Sequence, residues 1–464
     1  MSRIRWRVVS LVLLLSSLLL ALFLSPIFHS QASASLVQLS SDPYTNTTTK
    51  HSTEVSDASY SYGSTIVSAF QVGKSYNSGG ASNIGWATST DSGATWTNGF
   101  LPNITKVAGG PYQRAGDTGV TYDAAHGTWM IVTNGFYNEA FAILVSLSSD
   151  GKNWSNPVAV IAVPKSNTND FDKSGIACDN TSTSPYYGHC YVNWVNEANH
   201  DLIAMSTSTD GGLTWSAPLP TADSADGFNG HPFVQPDGTV VVVINKRIFA
   251  PPQTTHILAF TSTDGGASWS STVTVVAKSQ NHPNSGGIRD LHYFTAGMDG
   301  AGKLYVVWND CRYESGCTAN DLLMITSTNG TTWSAPQRIP IESVGSGVDH
   351  FIPGLGVDAS TSGSTAHLGL AYYYYPVANC TSATCQVDVG YVSSTDGGNT
   401  WSSPAQLDGP MSVTWFVNTQ WGYMPGDYIT TSFAGGKAFP VFSVASAPNG
   451  STYDQTTDTV VNGL

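Results

Sequence analysis

The chain has 464 residues and a formal charge of −14, with 32 acidic residues facing 18 basic ones. A surface of that sign repels phosphate backbones, which excludes nucleic acid as a partner. Only 11% of the residues are charged, about half the usual share, while Gly, Ser, Thr, Asn, Tyr and Trp abound, as in turn-rich extracellular β-proteins.

In chain order, the first feature is Arg3, Arg5 and Arg7 ahead of an apolar run from Val8 to Leu24, followed by the small residues Ala32, Ser33 and Ala34. This reads as a secretory signal peptide over residues 1–34. It leaves 35–464 as one domain, secreted, extracellular or held in the cell envelope, with a formal charge of −17. The apolar run of 17 residues is at the lower limit for a span. A membrane is therefore a partner only if this segment stays as an uncleaved anchor.

From residue 89 onward six related turns recur. Four follow Ser-x-Asp-x-Gly-x-Thr/Ser-Trp: Ser89 to Trp96, Ser208 to Trp215, Ser262 to Trp269 and Ser394 to Trp401. Two more, Ser148 to Trp154 and Ser327 to Trp333, are one residue shorter. Their third positions lie 54 to 67 residues apart, a period that signals an array of equal supersecondary units. The Asp or Asn accepts N–H groups of its own turn, Gly supplies the positive φ, and Trp packs into the sheet. The motif is thus a folding element and not a site.

Ahead of each box lie strand-like runs such as 303–308 and 321–326. A unit reads as four antiparallel strands with the box between the third and fourth. The first strand ends at a turn aspartate: Asp123, Asp179, Asp237, Asp299 and Asp358. The fold class is an all-β propeller of four-stranded antiparallel blades. Six boxes mark six blades. Apolar runs at 428–433 and 438–444 predict a seventh, completed by residues 36–39, with six blades as the alternative. The six cysteines fall in three close pairs, Cys178/Cys190, Cys311/Cys317 and Cys380/Cys385, and read as local disulfides.

Strand alternation puts the boxes and turn aspartates on one face of the propeller. The other face carries the entries to the first strands and the loops between second and third strands, and it is the candidate binding surface. Counting back nine residues from the turn aspartates reaches Arg114, Asp170, Phe228, Asp290 and Asp349, four of them charged. Nearby stand Asp117, Asp172, Lys173, His231, Arg289, His292 and His350, with Glu54 and Asp427 at the matching points of the first and last blades. Converging carboxylates, arginines and histidines perturb one another's protonation, which marks a candidate site. The loops add Phe136 to Glu139, Asn196-Glu197, Asn245 to Arg247, Asn309 to Glu314 and the run Tyr372 to Tyr375, which reads equally well as a strand packed on both faces.

The boxes resemble those of the sialidase superfamily, whose members carry bacterial neuraminidase repeats, and the resemblance covers the mature chain. It implies a glycoside hydrolase similar to exo-sialidases. There, three arginines clamp the sugar carboxylate, a Tyr activated by a Glu attacks the anomeric carbon, and an Asp acts as acid and base. The clamp would draw on Arg114, Arg247, Arg289 and Arg312, with Arg338 outside the site because it follows a box. Asp117, Asp172, Asp290 and Asp349 are the acid–base candidates, and Tyr375 or Tyr423 the nucleophile. The family's Phe/Tyr-Arg-Ile-Pro segment is absent from the first blade, which has His51 to Val55 instead, so no family catalytic residue is carried over by motif.

Two other readings use the same face: a polysaccharide lyase with His231, His292 or His350 as base, and a non-catalytic glycan-binding or adhesion propeller. The expected partner is carbohydrate in every case, and the expected state a monomer. No phosphate-loop, dinucleotide, Ser-His-Asp or zinc-protease motif occurs in a fitting context. No cofactor or metal is expected. A structural calcium ion would suit so acidic a chain, though no Asp-x-Asp-x-Asp-Gly loop points to one.

Overall fold

The computed structural model describes residues 34–464 apart from 78, 138–139, 165, 167 and 249–253. The expected signal segment, all but its last residue, lies outside the described residues, as does Glu139. Among the described residues every long element is a strand, and no helix is long and apolar enough to cross a membrane.

Among the described residues the strands group into seven four-stranded antiparallel units, six of them running in sequence order from first strand to fourth. Two neighbouring units are joined by a single pairing, Ala81 with Ala115. The first strands are Glu54–Tyr62 (β1), Arg114–Asp123 (β2), Phe171–Cys178 (β3), Phe228–Val234 (β4), Thr295–Met298 (β5), Asp349–Val357 (β6) and Thr430–Ala434 (β7). Each touches the next and β7 returns to β1, so the seven close a ring. The last unit takes Lys437–Ala445 and Gln455–Val460 from the end of the chain and Leu36–Gln38 from its beginning, with Leu36 opposite Val460. That pairing covers an edge which would otherwise be free.

The core lies between the units. In Val240–Ile248, Val240, Val242 and Ile244 pack toward the preceding unit, with Tyr191 and Met205. Val241 and Val243 pack toward the following one, with Val306 and Trp308. This is why the run is apolar without a break: a strand covered on both faces has no polar side. Each such valine contributes about 2 kcal/mol of burial. Tyr372 to Tyr375 follow the same logic. Tyr373 and Tyr375 lie in one interlayer and Tyr372 in the next, so the run is core.

The boxes do their expected work. The Ser89 hydroxyl donates to Asp91 Oδ1 and accepts from Gly93 N, while Asp91 accepts from Thr95 N at 2.9 Å and from its hydroxyl at 2.6 Å. These Thr95 bonds hold the exposed Asp91 carboxyl at about 2. Gly93 takes φ 79°, which a side chain would strain. The turn aspartates act alike: Asp123 caps Ala125 N and Asp299 caps Ala301 N and Lys303 N. All three expected disulfides are formed, Cys178–Cys190, Cys311–Cys317 and Cys380–Cys385.

Candidate active site

The first strands are irregular at one recurring point. The register slips in β1 between Val55 and Ala58, in β2 between Gly116 and Thr118, in β3 between Asp172 and Gly175, in β4 between Phe228 and His231, and in β6 between Phe351 and Gly354. At or beside each slip one non-glycine residue is left-handed: Ser56, Asp117, Lys173, Asn229 and Ile352, with φ between 40° and 61°. His292, ahead of β5, has φ 53°. A bulge of this kind re-aims the side chain it carries, and such strain concentrates at functional sites.

Three of these residues converge on Asp427. Lys173 Nζ lies 2.6 Å from Asp427 Oδ2 and 3.0 Å from Asp117 Oδ1, and the Ser56 hydroxyl accepts from Asp427 N. Arg289 grips both oxygens of Asp427, Nε to Oδ1 and Nη2 to Oδ2, each at 2.7 Å. Asp117 also accepts from Asn134 Nδ2, Lys173 N and the Tyr428 hydroxyl. The rings of Tyr293 and Tyr428 flank the ammonium at 5.5 and 5.7 Å. Lys173, Asp117 and Asp427 are buried; Asp172, next along β3, is partly open to solvent.

The electrostatics split the carboxyls. Burial acts to raise Asp427, but Arg289 and Lys173 override it and hold the group at about 2. Burial likewise opposes ionisation of Asp117, yet Lys173 and a hydrogen bond from Asp172 keep it well below the ordinary range. Asp172 moves the other way: burial first, then the adjacent Asp117 charge, raise it well above the ordinary value. Lys74 reaches the same neighbourhood, its Nζ donating to Gly80 O at 2.9 Å, and burial followed by Arg289 lowers it to about 7.

A second group adjoins at Asp290. His292 Nδ1 is 2.9 Å from Asp290 Oδ2, and Asn309 Nδ2 donates to the same carboxylate. Asp349 is fully buried, accepts from Asn320 N and Nδ2 and from Asn284, and is raised by burial to about 6.

The remaining expected residues are placed elsewhere. Arg114 donates to Gly79 O and lies by the Phe136 ring; Arg312 is engaged with both oxygens of Asp310; Arg338 pairs with Asp321. The Arg247 side chain is outside the described residues, and its backbone pairs with Thr255. Of the described arginines, Arg289 alone joins the charged cluster. His350 is buried against Glu342, and His231 packs at a tilt against the Phe294 ring, with burial lowering it to about 4. Glu54 points away, toward the Ser40 hydroxyl, and Asp170 bonds through its backbone to Asn196 and Glu197. Tyr375 is fully buried and donates to Ser285 O; burial, Asp349 and Asp290 hold it protonated, so it is not poised as a nucleophile. Tyr423 is partly exposed and its carbonyl accepts from Arg289 N.

Counting nine residues back from the turn aspartates reaches the first residues of β2, β4 and β6 at Arg114, Phe228 and Asp349, and residues ahead of β3 and β5 at Asp170 and Asp290, not the bulge. A count of six reaches Asp117, Lys173 and Ile352, all at the bulge. Sequence reasoning missed Lys74, Asn134, Tyr428 and Ser56. A lone lysine ending the otherwise buried strand Thr65–Lys74 was the available signal for the first. Among the described residues no three His, Cys, Asp or Glu side chains are grouped to hold a metal; between Asp117 and Asp427 the cation is Lys173 itself. Two surface concavities, of about 310 and 390 Å³, lie beside Arg338 and Trp401 and beside Asp408 and Trp415, away from the cluster.

Among solved structures, the chain is similar to a Hadza microbial sialidase at 15% identity, covering 88% of this chain and 66% of that one with a TM-score of 0.44. It thus spans just under two thirds of that sialidase. The NanB sialidase of Streptococcus pneumoniae, in a mutant form, matches at 14% identity over 94% of this chain and 70% of that one, TM-score 0.44. A polysaccharide lyase described as an ulvan lyase matches at 10% identity over 91% and 95%, TM-score 0.48. No curated protein matches. Residues 39–306, more than half of the chain, match the BNR repeat-like domain, and the chain belongs to that family.

Proposed function

We propose that the protein is a secreted, glycan-active enzyme that cleaves glycosidic bonds at the charged cluster, with Asp172 as general acid. The observation that carries this reading is the contrast between two neighbouring carboxyls: Lys173 Nζ lies 3.0 Å from Asp117 Oδ1, while Asp172 sits beside that occupied carboxylate and is more open to solvent. The Lys173 charge lowers Asp117, whereas burial and then the Asp117 charge raise Asp172. Environments that drive paired carboxyls apart are how acid and base roles are set. Asp117 is buried and taken up by Lys173, Asn134 and Tyr428, so it is not free to act as a nucleophile. Its role is to hold the proton on its neighbour. The Asp290–His292 pair is the proposed base.

A sialic acid clamp is not favoured, because, of its described candidates, Arg114 and Arg312 are engaged elsewhere and Arg289 is bound to Asp427. Neutral or uronate-bearing glycans fit better. Glycan binding without turnover is a second reading, favoured by one observation: the cluster's cations and anions are already paired with one another. The test is product release from sialosides, uronosides and neutral glycans by the mature protein and by Asp172→Asn. Release by the first alone supports the enzyme; binding of a glycan with no release supports the second reading.

A further inference from the structure

The hairpin of Val417–Thr419 and Gly422–Met424 sits directly ahead of β7, on the face that carries the cluster. Its two-residue tip is Gln420 and Trp421, and Trp421 is 51% exposed, large for an indole. The hairpin is fixed from below. Arg289 N donates to Tyr423 O at 2.7 Å, and Gly422, at φ 115°, lies so close to Gly287 O that a Cβ would meet it at 2.4 Å. It is also fixed across the turn, where Thr419 Oγ1 donates to Gly422 O and accepts from Trp421 N. Gln420 N donates to Tyr76 O, which sets a second exposed ring beside the tip.

One face of the indole is taken: the Arg289 guanidinium lies 4.9 Å from the ring centroid. About half of the Trp421 surface stays exposed. Arg289 is itself nine-tenths buried and committed to Asp427, with Nη2 donating to Oδ2 and Nε 2.7 Å from Oδ1. The cluster thus presents a rigid aromatic ring held over its charged groups. Pyranose rings match such a ring, with an apolar C–H face for the indole and oxygen substituents around the edge.

We propose that Trp421 is the sugar platform of the site, stacking a pyranose ring on the side of the indole away from Arg289. This rests on the glycan reading above and names where the sugar sits. Preorganisation of the hairpin means little ordering is needed on binding.

The experiment measures binding, apart from turnover, of oligogalacturonate, sialyllactose and a xyloglucan oligosaccharide by saturation-transfer NMR and calorimetry. The expected result is that at least one binds, that Trp421→Ala weakens it about tenfold, and that Trp421→Phe weakens it less. Tyr62→Ala, an exposed ring beside the turn on the box face, leaves it unchanged. A bound sugar also shields the Trp421 indole of the wild-type protein from N-bromosuccinimide, read by peptide mass, which covers the case of a variant that does not fold. Binding that survives Trp421→Ala, or an indole left unshielded, overturns the platform alone. Binding that depends on Trp421 with no product released keeps the platform and removes the enzyme. No binding of any probe overturns both.

Discussion

Raising the pH from 5 to 7 should destabilise this protein, because the seam between the first and last units buries carboxyls without cations. Glu54 is 1% exposed, with its Oε2 on the Ser40 hydroxyl and Oε1 unpartnered; Asp57 is 0% exposed, with Oδ1 on the Thr457 hydroxyl and Oδ2 unpartnered. The charged groups acting on them, Asp42 and Asp57 on Glu54 and Asp458 on Asp57, are all acidic. Burial is the main cause that lifts both, from ordinary values of 4.5 and 3.8, to about 8. A raised carboxyl stabilises the fold fully below its unfolded value and loses that contribution as pH climbs toward its folded one. Each group then loses about 1.4 kcal/mol per pH unit, so the pair loses about 5 kcal/mol between pH 5 and 7.

Other groups adjust this figure without reversing it. Asp458 and Asp388, each raised by burial to about 6, add to the loss, while His231, lowered by burial to about 4, opposes it up to its ordinary value of 6.5. Lys74, lowered to about 7, works against it only above that pH. For a folded unit spanning Ala34–Leu464 the unfolding entropy is about 0.9 kcal/mol/K, so about 5 kcal/mol corresponds to a fall of about 6 °C in Tm. Scanning calorimetry at constant ionic strength measures this, and the double variant Glu54→Gln/Asp57→Asn should flatten the slope. A Tm that is level or rising from pH 5 to 7, or a double variant with the wild-type slope, would refute the reasoning.

Asp427→Asn leaves Lys173 and Arg289 buried with half their counter-charge, and chemical denaturation should show a loss of about 3–5 kcal/mol. Asp91→Ala removes the acceptor of the first box and should cost about 1 kcal/mol with glycan affinity untouched, since that turn lies on the opposite face. Reduction of Cys178–Cys190, which closes a short loop, should lower stability by about 2–3 kcal/mol in the same assay.

The architecture was legible because folding elements repeat. The boxes gave the period, the turn aspartates marked the strand ends, and the apolar runs after Trp401 announced strands that are present at Thr430–Ala434 and Lys437–Ala445. Half of the site was legible as well: the sequence candidates Asp117, Asp172, Lys173, Arg289 and Asp427 do meet. Glu54, His350 and Arg312 were not separable from them by sequence. A charged residue at a strand entry can turn inward, back between units or sideways to its own loop, and the choice is made by backbone φ at the bulge. Lys74 escaped because it reaches the cluster from a second strand, a contact of tertiary origin.

Product release from a glycan panel by the protein and by Asp172→Asn, followed across pH, tests the central claim most directly. The account predicts release by the wild type that falls away on the alkaline side as Asp172 loses its proton, and no release by an Asp172→Asn variant of unchanged Tm. Undiminished release by that variant would contradict it.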